Sequence, residues 1–133
     1  MTDQAGTPSA LFHTLLDRFS VLDFEGINAL LHDDSVFDFP FRDENPTLEG
    51  RAAIMERLNT SMAVNFAHLD FTVKAVHLCQ DPNLVIAEYE SVGKLRSGRT
   101  YRNRYVGMVR ARDGRIELFR EYLNPLAFAR ATA

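Results

Sequence analysis

The stretch from Thr100 to Pro125, TYRNRYVGMVRARDGRIELFREYLNP, constrains the fold of this chain more than any other. Two long alternating runs flank the tetrapeptide Arg112-Asp113-Gly114-Arg115. Asp-Gly between such runs predicts a β-hairpin, because a type I′ turn needs positive φ at both central residues and these two residue types tolerate it. Alternation gives each strand two faces. Tyr101, Asn103, Tyr105, Gly107 and Val109 share one side of the first strand; Arg102, Arg104, Val106 and Met108 share the other. On the second, Glu117, Phe119, Glu121 and Leu123 alternate with Ile116, Leu118, Arg120 and Tyr122. One pairing joins Asn103, Tyr105, Phe119 and Glu121, and leaves Arg102, Arg104 and Arg120 on the opposite face. The pattern leaves open which face is covered.

The rest of the chain must complete a sheet around this hairpin. A length of 133 residues predicts one domain over residues 1–133. Such a chain can bury about two-thirds of its unfolded surface, enough for a core without metals or disulfides. With 46% hydrophobic and 25% charged residues, the composition is that of a globular protein. A net charge of -3, with both signs dispersed, argues against a dedicated nucleic-acid binder. Cys79 is the single cysteine, which excludes an internal disulfide and a cysteine-based metal site. No apolar run is long enough to span a bilayer. The opening MTDQAGTPS lacks the basic start and apolar stretch of a signal peptide, so a cytoplasmic location is expected.

Taken in order, Met1 to Gly6 is polar and expected to be flexible. Thr7-Pro8 fits a helix N-cap followed by proline at the first helical position. Leu11, Phe12, Leu15, Leu16, Phe19 and Leu22 recur at helical spacing. Asp23 suits a second N-cap, with Phe24, Ile27, Leu30 and Leu31 marking a short helix. His32 to Ser35 reads as a polar break, and Val36 to Phe41 as a strand that Pro40 places at an edge or an end. Arg42 to Gly50 reads as a charged loop. Ile54, Met55, Leu58 and Met62 predict a third helix. Phe71 to Cys79 and Leu84 to Leu95 read as strands leading into the hairpin. Helices gathered early and strands run together late predict an α+β fold: a cone-shaped α+β barrel in which a curved antiparallel sheet wraps three N-terminal helices. The open end of such a cone is a natural apolar pocket.

The segments DFEGINALLHDDSVFDFP, EGRAAI and RNRYVGMVRARDGRIELFREYLNP resemble the nuclear transport factor 2-like superfamily, and within it the SnoaL-like branch. That branch is related to ketosteroid isomerases, limonene epoxide hydrolases, polyketide cyclases and the phenazine-biosynthesis A/B proteins. The resemblance spans nearly the whole chain, and it implies a homodimer. In the isomerases an Asp precedes the proline of the first strand; here Phe39 precedes Pro40, and Asp38 lies one place earlier, on the other face. Leu15 and the Tyr105 to Gly107 region stand where the isomerases carry their Tyr and second Asp. Arg120-Glu121-Tyr122-Leu123-Asn124 is similar to the Arg-Asp-Tyr-Phe-Asp run of the hydrolases, but Tyr89 and Ser91 stand where those enzymes carry an Arg and an Asp. The phenazine proteins have Arg-Glu-Phe-Met-Asn, whose Glu matches Glu121 directly.

Glu121 is therefore the candidate catalytic residue. Facing an apolar hollow, it would have a raised pKa suited to proton transfer; paired with an arginine, it would merely close the sheet. Candidate ligand contacts are Asn103, Tyr105, Tyr89, Phe119, Phe39 and Met62. His13, His32, His68 and His77 are scattered without ligand spacing, so no metal is expected. Glu88 and Glu90 are expected to meet Arg102 and Arg104 across strands on the outer face, where Val92, Val106, Met108 and Tyr122 add apolar surface suited to dimerisation. The resemblance implies a cofactor-independent isomerase, cyclase or dehydratase acting on a small, mostly apolar metabolite. The alternatives are a ligand-binding or accessory protein without chemistry, and an interaction module acting through the outer sheet face. No nucleic-acid or membrane partner is expected.

Overall fold

The computed structural model describes residues 4–133. Of the stretch expected to be flexible, Met1, Thr2 and Asp3 lie outside the described residues, and Gln4–Gly6 forms a 3-10 turn. Thr7 caps α1 (Pro8–Ser20), its hydroxyl accepting from the Ala10 amide at 3.2 Å, with Pro8 at the first helical position. Asp23 caps α2 (Phe24–Asn28) through the Gly26 amide at 2.9 Å. The stripe on α1 is buried: Phe12 and Leu15 are fully enclosed and Leu11 nearly so.

β1 (Leu31–Asp38) starts where a helix end and a polar break were expected. The polarity of His32 to Ser35 has a structural use. Ser35 is fully buried; its hydroxyl donates to the Ile116 carbonyl at 2.6 Å and accepts from the His32 amide at 2.8 Å, holding an irregularity in the β1 pairing. Pro40 ends the strand rather than marking an edge, because β2 (Thr47–Glu49), inside the expected charged loop, covers the outer side of β1. α3 (Arg51–Arg57) continues through a π turn over Leu58–Met62 into α4 (Ala63–Asn65). Four long strands follow: β3 (Phe66–Leu78), β4 (Leu84–Leu95), β5 (Thr100–Arg112) and β6 (Arg115–Leu123). α5 (Leu126–Thr132), which the sequence patterning did not announce, closes the chain.

The architecture is α+β, with a curved, unclosed sheet of six strands in the order β2-β1-β6-β5-β4-β3. Strands β3 to β6 form the expected antiparallel meander, but β1 joins β6 in parallel, so the sheet is mixed rather than antiparallel throughout. The β5–β6 turn has Asp113 at φ 50° and Gly114 at φ 75°, the left-handed pair that the Asp-Gly signal requires. On β5 the alternation resolves cleanly: Tyr101, Asn103, Tyr105, Gly107 and Val109 face the helices, and Arg102, Arg104 and Val106 face out. On β6 an extra residue at Glu117 shifts the register, so Ile116 and Phe119 both turn inward.

The outer face departs from expectation in its pairings. Glu90 lies opposite Arg104, but Glu88 lies opposite Val106 and Arg102 opposite Val92. The two acids instead bond across to β3, Glu88 with His77 at 2.7 Å and Glu90 with Lys74 at 3.7 Å. Asp38, on the other face from Phe39, is tied down there: its carboxylate accepts from Arg120 Nε at 2.8 Å and from the Thr47 hydroxyl at 2.9 Å. Among the described residues no helix is long and apolar enough to cross a membrane.

Candidate active site

The helices fill one end of the curved sheet and leave a cavity of about 580 Å³ at the other. Phe19 from α1, Phe37 and Phe39 from β1 and the segment after it, Phe119 from β6 and Phe71 from β3 form its aromatic wall. Three of these rings pack edge to face: Phe37 and Phe39 lie 5.2 and 6.1 Å from Phe119. Leu58 and Met62 enter from the π turn. Phe128, Ala129 and Thr132 of α5 close one side, while Arg42, Asp43, Glu44 and Arg57 ring the mouth.

Into this apolar surround project Glu121, Tyr101 and Tyr105. Glu121 is only 9% exposed. Burial pushes its pKa from the ordinary 4.5 up to about 7, against the opposing influence of a hydrogen bond from Tyr89 and the charge of Arg42. The Tyr89 hydroxyl donates to Glu121 Oε2, which leaves Oε1 for a group inside the cavity. Burial and the nearby carboxylate hold the Tyr89 pKa well above its usual value, so this phenol stays protonated as a donor. Tyr89 sits on β4 and Glu121 on β6, with β5 between them. The phenol reaches across because the intervening residue is Gly107, paired with Glu121 in the β5–β6 register. A Cβ there would stand 2.5 Å from the Tyr89 hydroxyl oxygen. Tyr105 stacks on Tyr89, ring centres 4.9 Å apart, and its hydroxyl shares a 2.6 Å hydrogen bond with Ser91.

Residues 12–119 match the family model described as the SnoaL-like domain. The chain belongs to the SnoaL-like domain family. Among curated relatives of this SnoaL-like protein, Bacillus subtilis YesE is 34% identical over 82% of this chain and 76% of its own length. A PhzA/B-like protein of Pseudomonas aeruginosa is 32% identical over 78% of this chain and 74% of its own. A Bacillus subtilis crystal structure, assigned provisionally to the isomerases, superposes at TM-score 0.87 with 29% identity, covering 98% of this chain and 96% of that one. The Δ5-3-ketosteroid isomerase of Mycobacterium sp. superposes at 0.77 with 23% identity over 91% and 96% of the two chains. An epoxide hydrolase of the limonene type from Mycobacterium tuberculosis superposes at 0.73 with 18% identity over 94% and 90%. At those identities the last two show the fold alone, which is the cone of the nuclear transport factor 2-like superfamily.

Within this SnoaL-like domain, five of the seven expected site residues line the cavity: Glu121, Tyr105, Phe119, Phe39 and Met62. Tyr89 and Asn103 do not. Tyr89 is 2% exposed and acts behind the wall, on Glu121. Asn103 braces the end of β6: its Nδ2 donates to the Tyr101 hydroxyl at 2.7 Å and the Asn124 carbonyl at 3.1 Å, and its Oδ1 accepts from the Asn124 amide at 3.0 Å. The sequence reading passed over Tyr101, Arg42, Arg57 and Phe128. Tyr101 was available from alternation, since it shares the face of Asn103 and Tyr105. The arginines looked like loop and helix surface, and Phe128 belongs to a helix with no clear periodic signal. Among the described residues no group of three or more His, Cys, Asp or Glu side chains could hold a metal ion.

Proposed function

We propose that the cavity binds a small, mostly apolar metabolite and that Glu121 acts on it as a general acid/base, without a cofactor, in an isomerisation, cyclisation or dehydration. The supporting observation is a nearly buried carboxyl with a pKa of about 7 on the wall of a 580 Å³ aromatic cavity. A carboxyl whose pKa is raised toward neutrality can both take and return a proton. As a carboxylate, Oε1 removes a proton from carbon or oxygen; as the resulting acid, it returns that proton to a second atom of the same ligand. Tyr89 fixes the carboxyl through Oε2. Tyr101, whose raised pKa keeps it protonated, offers a hydrogen bond to a ligand oxygen as charge develops on it, and the neighbouring Tyr105 hydroxyl supports it.

The test is a thermal-shift screen of small metabolites, followed by mass-spectrometric product analysis of every stabilising compound. Replacing Glu121 with Gln should leave the fold and binding intact and lower turnover by at least about a hundredfold. Full activity in that variant would remove Glu121 from the mechanism. A second reading, ligand binding without chemistry, is favoured by one observation: among the described residues, the acids on the lining apart from Glu121 are Asp43 and Glu44 at the exposed rim. Binding of a physiological compound without conversion would establish it.

The same proposal includes a homodimer formed through the outer sheet face. There Val92 and Val106 are 36% and 41% exposed, beside Arg102 and Arg104 respectively. Sedimentation at micromolar concentration reads the assembly state directly. A single unpaired cysteine, Cys79, fits a reducing compartment such as the cytoplasm.

A further inference from the structure

Two arginines line the mouth of the cavity, and among the described residues neither is in an ion pair. Arg42 lies in the loop after β1, its guanidinium carbon 5.8 Å from the centre of the Phe39 ring. Arg57 ends α3 and donates one Nη2 hydrogen bond, to the Asn45 carbonyl at 3.1 Å. Both line the cavity. Arg42 is exposed at the mouth, and desolvation, then the charge of Arg57, holds its pKa below the ordinary value. Asp43 and Glu44 share the rim and are exposed, and they pair with neither. Glu121 feels the charge of Arg42 but lies inside the cavity, where burial raises its pKa and opposes its ionisation.

Two like charges held together at the edge of an apolar hollow raise the energy of the empty site. A bound anion removes that penalty. A guanidinium is a planar fork whose paired N–H groups match the two oxygens of a carboxylate. The Phe39 ring beneath Arg42 favours a defined placement of that fork. Resting on the reading that the cavity holds a small molecule, we propose that this molecule is an organic carboxylate, its apolar body against the phenylalanine wall and its carboxylate held at the mouth between Arg42 and Arg57. The ligand then enters with one orientation. The charged end stays at the rim, and the uncharged end is delivered to Glu121.

A matched pair of fluorescent probes tests the assignment: 2-naphthoate, which carries the carboxylate, and 2-naphthamide, which has nearly the same shape without the charge. Binding is measured at pH 6.5 to the full chain, to the Arg42→Gln/Arg57→Gln double variant, and to Glu121→Gln. Wild type should bind the acid at least about tenfold more tightly than the amide. The double variant should lose that preference while keeping its affinity for the amide. In Glu121→Gln the preference should persist, because the rim and not the inner carboxyl selects the anion. Equal or tighter binding of the amide by wild type, or a preference that survives loss of both arginines, overturns the proposal while leaving the cavity reading in place. Failure of wild type to bind either probe overturns both.

Discussion

The raised pKa of Glu121 makes a stability prediction that requires no knowledge of the ligand. In the unfolded chain this carboxyl titrates near its ordinary 4.5; in the folded protein it titrates near 7. Between those values the folded state holds a proton that the unfolded state has released. Stability therefore falls as pH rises through this window, is fully present below 4.5, and reaches its lower plateau above about 7. At about 1.4 kcal/mol per pH unit, the interval from 4.5 to about 7 corresponds to about 3 kcal/mol. Glu121→Gln removes the titration while keeping the shape and a hydrogen-bonding oxygen for Tyr89. The comparison is a double difference: urea unfolding of wild type and variant at pH 5 and pH 8. Gln should gain about 2–3 kcal/mol relative to wild type on going from the lower pH to the higher, because at pH 5 the unfolded chain has already released most of its proton. The titration of every other group is common to both proteins and cancels. A double difference near zero, or one of opposite sign, would show that Glu121 ionises normally and would remove the physical basis of the proposed chemistry.

Three further outcomes follow from the same packing. Tyr89→Phe deletes the donor that favours the ionised carboxyl, so the Glu121 pKa should rise above about 7, read by carbon-detected NMR of the side-chain carboxyl; an unchanged or lower value refutes the coupling. Gly107→Ala places a methyl 2.5 Å from the Tyr89 oxygen, and the stacked Tyr105 resists its retreat, so a loss of about 1–3 kcal/mol is expected in urea unfolding. Much of that loss should vanish when Tyr89 is already Phe, and additive losses in the double variant would refute the steric account. Ser35→Ala strips two partners from a fully buried irregularity and should destabilise by about 1–3 kcal/mol without altering ligand binding; a neutral result would mean that water replaces the hydroxyl.

The hairpin, the meander and the α+β class were legible because they depend on local rules: a turn that demands Asp-Gly, and strands with unbroken alternation. β4 is observed with the bounds that alternation gave, Leu84–Leu95. The parallel junction of β1 with β6 was not legible, since no local pattern tells residue 37 that its partner is residue 119. The extra residue at Glu117 hid for a similar reason. A bulge breaks the alternation that would be used to detect it, and its cause lies in the neighbouring strand. β2 has three residues and gains its place from β1 rather than from its own composition. At the site, the inward direction of Glu121 followed from its alternation with Phe119 once the buried face was known. The assignment of Tyr89 and Asn103 as direct ligand contacts followed from facing direction alone. It missed that a side chain can face inward and be spent on another protein group: the carboxyl of Glu121 in one case, the backbone of Asn124 in the other. Facing direction has a period of two; contact partners depend on the curvature of the sheet and on which neighbour is a glycine.

The solitary character of Glu121 also bounds the chemistry open to this site. Apart from Glu121, the acids lining the cavity among the described residues are Asp43 and Glu44 at its rim, and Asp38 is turned outward onto Arg120. Two ionisable groups facing one ligand can pull and push protons at once, as opening an epoxide with water requires. A single carboxyl cannot. It must remove a proton and return it from the same side of the ligand, to atoms within reach of one oxygen. Burial raises the pKa of Tyr101 and Tyr105, so both stay protonated as hydrogen-bond donors at neutral pH. On the proposed mechanism, the migrating proton should therefore pass between two atoms of one face of the ligand. Part of it should be retained when the reaction runs in deuterated water, because the same carboxyl oxygen returns the proton it removed. Complete exchange into the product at the earliest measurable turnover would point instead to a solvent-connected base, and so away from Glu121.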